Sequence, residues 1–136
     1  MNKLQFHHMG IACRMIQQEA DVWIAMGYEQ EGEPFEDEHQ GVAGQFLVGV
    51  GPRLEILQPL QGRTVLDSYL SSGTKVYHHG FETADIDLAI NDFRTKRAKL
   101  ISPPSPSVAF DGRRIAFMLF PNMYLVELIE LGNEND

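Results

Sequence analysis

The sequence predicts an α+β fold in which one chain carries two βαβββ modules. Three observations lead there. Phe6-His7-His8-Met9-Gly10 returns as Tyr77-His78-His79-Gly80-Phe81, and Leu54-Glu55-Ile56-Leu57 returns as Val126-Glu127-Leu128-Ile129. His8 and His79 are then 71 residues apart and Glu55 and Glu127 are 72 apart, two spacings that nearly coincide. Between the repeated segments, the same succession of alternating and helical patterns occurs twice. With 136 residues, 43% of them apolar, the chain suits one domain over residues 1–136, module one covering about 3–60 and module two about 75–131.

The elements follow in order. Lys3 to Cys13 alternate as a strand, and Ile16 to Met26 place Ile16, Ala20, Trp23 and Ile24 at helical spacing until Gly27 stops the helix. Extended segments are expected from about Tyr28 to Gly32, from Val42 to Val48 and from Arg53 to Gln58, the last two joined by a Gly49-Val50-Gly51-Pro52 turn. That hairpin accounts for the glycine pair, so it is no nucleotide loop. Ser68 to Gly73 reads as a connection. The order restarts with a strand from Lys75 to Thr83 and a helix from about Asp85 to Arg97. Strands near Leu100, from Arg113 to Phe120 and from Met123 to Ile129 complete the second module. Three prolines between Ser102 and Pro106 predict a stiff loop there.

Strand alternation places the chemistry. His8, Gly10 and Ala12 point one way, the small residues leaving room beside the imidazole, while Met9 and Ile11 point toward the helix. Leu54 and Ile56 suit the helix side, which leaves Glu55 on the face of His8. Tyr124 to Ile129 is apolar on both faces except at Glu127, and a buried carboxylate is costly without a partner. A single strand histidine is more often structural, and a single strand glutamate often only guards a sheet edge. Four such residues at matching places in two copies point instead to a divalent-metal site of His8, Glu55, His79 and Glu127. Imidazole and carboxylate together suit cobalt, nickel, zinc or manganese. His7 and His78, pointing to the other face, are expected to be structural or to orient the ligands.

Composition narrows the function. Eleven basic against nineteen acidic side chains give a net charge of −8, which excludes a general nucleic-acid binder. Six acids lie between Glu29 and Glu38, and six of the eleven bases lie between Arg94 and Arg114; such runs ordinarily mark solvated faces. No apolar stretch approaches the roughly 20 residues of a membrane span. The start Met1-Asn2-Lys3 leads into a strand rather than a signal peptide, so a cytoplasmic protein with no membrane partner is expected. Cys13 is the sole cysteine and reads as a buried, inert thiol.

At these residues the chain resembles the vicinal oxygen chelate superfamily, which includes glyoxalase I, methylmalonyl-CoA epimerase, extradiol dioxygenases and bleomycin and fosfomycin resistance proteins. "FHHMGIAC", "PRLEILQPLQGRTVLDSYLSSG", "YHHGFETADIDLAI", "FDGRRIAF" and "LVELIE" are most similar to methylmalonyl-CoA epimerases, with glyoxalase I next. The resemblance implies a curved, cupped mixed sheet with helices outside, a homodimer, and one divalent ion on His8, Glu55, His79 and Glu127. It implies an enzyme that moves a proton at a carbon α to a carbonyl, in a small-molecule substrate such as an acyl-CoA or other thioester. Glu127 is the first choice of base, with Glu55 serving the opposite face. Arg113 and Arg114 are candidates for holding an anionic carrier. The alternatives are a glyoxalase I-like lactoylglutathione lyase or a non-catalytic small-molecule binding protein of the same fold. An iron dioxygenase, needing only two histidines and one carboxylate, would leave Glu55 unexplained. Phe117 to Asn122 also lacks the histidine-proline pair usual in the epimerases.

Overall fold

The computed structural model describes residues 3–132. Its elements are β1 (Leu4–Ala12), α1 (Ile16–Ala25), β2 (Glu29–Asp37), β3 (Val42–Val48), β4 (Leu54–Pro59), α2 (Asp67–Ser72), β5 (Val76–Thr83), α3 (Ile86–Arg94), β6 (Lys99–Pro106), β7 (Arg114–Leu119) and β8 (Leu125–Glu130). A 3₁₀ turn, Val108–Phe110, precedes β7. The predicted βαβββ order thus occurs twice. Two compact units result, His8–Tyr77 on the one hand and residues 3–7 with 78–132 on the other.

In the unit His8–Tyr77 the strand order is β2-β3-β4-β1, antiparallel except for the parallel β4–β1 pair. One face is closed by α1, whose Ile16, Ala20 and Trp23 pack with Met9, Ile11, Leu47, Leu54 and Ile56. Each such aliphatic chain, fully buried, contributes about 1.5–3 kcal/mol. The helix starts where Gln58 Oε1 accepts a hydrogen bond from the Ile16 N–H at 2.8 Å, filling the role of a cap. It ends before Gly27, whose φ of 117° is closed to residues with a Cβ. Ile24, expected on the buried stripe, is 48% exposed, because Trp23 takes the contact with Tyr28.

The second unit repeats the topology as β5-β8-β7-β6, with β5–β8 parallel. Here α3 buries Ile86, Ala89 and Ile90 against Ala116, Met118, Val126 and Leu128. Asp85 caps it, its carboxylate accepting from the Leu88 N–H at 3.0 Å.

Three local expectations are corrected. The stretch Ser68 to Gly73 is largely helical, as part of α2, because Leu66, Tyr69 and Leu70 bury themselves with Phe35, Val42 and Leu57 on the sheet face opposite α1. Ser102 to Pro106 belongs to β6 rather than to a loop. Proline is tolerated there because β6 is the outermost strand in the order, and its pairing with β7 is interrupted at two irregularities. Strand β2 runs on to Asp37 instead of ending at Gly32, with a register shift between Glu31 and Phe35.

Candidate metal and proton-transfer residues

In the unit His8–Tyr77, Gly10 is the register partner of Glu55, and Phe46 is its partner on the other side. Two residues before Gly10, His8 shares their face and is fully buried. Its Nε2 lies 3.1 Å from Glu55 Oε1. The Phe46 ring meets the imidazole edge-on at 79° and 5.9 Å. The side of the sheet opposite α1 therefore carries a buried imidazole, a buried carboxylate and an aromatic ring that fixes the imidazole plane.

The second unit builds the same group. Gly80 pairs with Glu127, and Glu127 with Phe117. The imidazole beside them is that of His78, 1% exposed, with Nε2 at 3.3 Å from Glu127 Oε1 and the Phe117 ring edge-on at 88° and 5.3 Å. His79 was the sequence expectation and His78 is the observed neighbour. The reason is strand alternation: residues 78 and 80 share the face of Glu127, whereas residue 79 points toward the helix side. There His79 packs against Tyr124 and Phe6 with ring centroids 5.4 and 6.3 Å away. The signal that finds His78 is the glycine. Aligning Gly10 with Gly80, rather than one His-His pair with the other, matches His8 to His78. His7, read as structural, stacks edge-on with Phe110.

The donor chemistry fits a divalent cation. In each unit the imidazole and the carboxylate, His8 with Glu55 and His78 with Glu127, are at most 4% exposed, and buried donors of these two kinds suit a divalent ion. Ligand atoms in neighbouring positions around a metal at about 2.1 Å are themselves roughly 3.0–3.4 Å apart, and the two His–Glu separations lie in that range.

The basic patch expected at Arg113 and Arg114 is already neutralised. Arg113 donates to Glu82 Oε2 at 2.8 Å and Arg114 to Glu130 Oε2 at 2.7 Å and Asp87 Oδ2 at 3.2 Å. The hydrogen bonds it donates to Glu130 and Asp87 hold the Arg114 guanidinium protonated well beyond its ordinary range. Cys13 is inert as expected: burial, reinforced by the Glu19 charge and opposed by Lys75, pushes its thiol up to about 12.

Residues 7–117 match the family model described as the Glyoxalase/Bleomycin resistance protein/Dioxygenase superfamily. The chain belongs to this superfamily. Among solved structures, a Streptomyces coelicolor methylmalonyl-CoA epimerase variant in complex with 2-nitronate-propionyl-CoA is 26% identical, with TM-score 0.78, over 95% of this chain and 98% of that one. A methylmalonyl-CoA epimerase in complex with methylmalonyl-CoA and NH4+ is 28% identical, with TM-score 0.74, over 93% of each chain. A hypothetical protein from Bacillus halodurans C-125 shares the fold at 20% identity and TM-score 0.81, over 98% of this chain and 99% of that one. No curated protein matches the chain in sequence. Among the described residues, no helix is long and apolar enough to cross a membrane.

Proposed function

We propose that this protein is a metal-dependent isomerase that moves a proton at the carbon next to the carbonyl of an acyl thioester, with His8, Glu55, His78 and Glu127 as the ligands of one divalent ion. The observation that carries this reading is the buried His–Glu pair made twice, at matching register, in a chain 26% and 28% identical to epimerases solved with acyl-CoA ligands. A divalent ion at such donors supplies Lewis acidity toward a carbonyl oxygen, which makes the adjacent C–H more acidic.

The remaining work falls to the chain. Glu127, flanked on β8 by Val126 and Leu128, takes the α-proton, and Glu55 returns one from the other side. His8 and His78 supply nitrogen donors, and Phe46 and Phe117 keep their rings from turning. This division of labour suits an epimerase, which needs a proton-handling group on each face of a planar intermediate.

The test is deuterium uptake at the α-carbon of methylmalonyl-CoA by protein loaded with cobalt, nickel, zinc or manganese. Uptake that falls about 10²-fold or more in Glu127→Gln supports the assignment. Loaded protein that gives no uptake but turns over the glutathione hemithioacetal of methylglyoxal is a lyase instead.

A further inference from the structure

We propose that the edge strand β6 carries a recognition row, Lys99, Ser102 and Ser105, for an anionic oxygen group of the substrate, namely a carboxylate on its acyl part; this rests on the acyl-thioester reading above. Register places the row. Lys99 pairs with Leu119, Ser102 with Phe117 and Ser105 with Ile115. Phe117 is in turn the partner of Glu127, so all three β6 side chains share the face of that carboxylate. The two irregularities in β6 make this possible: they slip the strand so that residues three apart, 99, 102 and 105, fall on one side.

The three groups are free to bind. Among the described residues Lys99 makes no ion pair, and Ser102 Oγ and Ser105 Oγ are buried without a hydrogen-bond partner. A hydroxyl that makes no bond in its present rotamer loses none by turning toward a ligand oxygen, and buried hydroxyls without partners are costly enough that such a bond is favoured.

The matching positions of the first unit carry the opposite chemistry. Glu29 pairs with Val48, Glu31 with Phe46 and Phe35 with Gly44. Two carboxylates and a phenyl ring there answer a cation and two hydroxyls on β6. Glu31 is held by Arg53 at 2.8 Å, so that arginine is not offered to a ligand anion. The duplicated modules have therefore diverged at their edge strands, and an anionic substituent is directed to the second one. This also answers how a chain of net charge −8 takes an anionic substrate after Arg113 and Arg114 have been paired off.

The experiment is calorimetric titration of wild type, Lys99→Ala and Ser102→Ala/Ser105→Ala with malonate, methylmalonyl-CoA and propionyl-CoA, at equal metal content. Each substitution is expected to weaken malonate and methylmalonyl-CoA about tenfold or more, the size of a lost charge-assisted hydrogen bond, and to change propionyl-CoA by less than about twofold. Equal weakening of both thioesters would keep the row but assign it the phosphates of the carrier. Variants that bind all three probes like wild type overturn the proposal and leave the isomerase reading standing. Wild type that binds malonate, with loss in the variants, but neither thioester overturns the acyl-thioester reading alone; binding of none of the three overturns both.

Discussion

Removing the imidazole of His78 leaves Glu127 buried at 2% exposure without the nitrogen 3.3 Å away, whereas removing that of His79 takes a half-buried ring from between Tyr124 and Phe6. His78→Ala is therefore expected to abolish divalent-ion retention, and His79→Ala to retain it while losing some stability, as seen by metal analysis beside thermal melts. The sequence is ambiguous at this point because two histidines stand together in each copy, and pairing doublet with doublet looks natural. What the two units share is the residue paired with the carboxylate, Gly10 with Glu55 and Gly80 with Glu127, so glycine, not histidine, marks the register. Cys13 gives a second test at this scale. Its folded thiol titrates near 12 against 9.0 for the ordinary group. The protonated form is favoured by folding, so its contribution is complete below pH 9 and is lost as the pH rises toward 12. Native protein should resist thiol labelling at pH 8, and Cys13→Ala should flatten the alkaline fall in stability measured by urea unfolding.

At the scale of elements, the strand β3 shows how packing reaches the site. A Cβ at Gly44 would run into the Phe35 ring and the Leu57 side chain. Phe35 in turn packs on Phe46, and Phe46 on His8. Gly44→Ala is expected to cost about 1–3 kcal/mol through overpacking and to loosen the His8 ring, lowering both melting temperature and metal affinity. Asp85→Ala, which removes the cap of α3, should cost about 1 kcal/mol in urea unfolding and leave metal retention intact. The regular strands and the two longer helices were legible because their apolar periods are clean. Strand β6 was not, since Pro103, Pro104 and Pro106 read as a loop unless the strand is known to lie outermost. Helix α2 was hidden for a different reason: at six residues it is too short to show a period, and it exists because Leu66, Tyr69 and Leu70 find partners on the sheet.

For the whole molecule, the repeat explains why so much of the candidate site could be read from the chain: Glu55 and Glu127, and the pairing of each with a β-strand histidine, follow from it. Divergence between the copies explains what could not, since Glu31 and Ser102 occupy matching places with unlike chemistry. If the four buried donors hold an ion, the folded state alone binds it, and a saturating divalent ion should raise the melting temperature of chelator-treated protein by roughly 10 °C at a hundredfold excess over Kd. The most direct test of the central claim is the metal content of three proteins purified alike without chelators: wild type, His78→Ala and His79→Ala. About one equivalent of divalent metal per chain is expected in wild type and in His79→Ala, and next to none in His78→Ala. Metal retained by His78→Ala, or lost from His79→Ala alone, would contradict that claim.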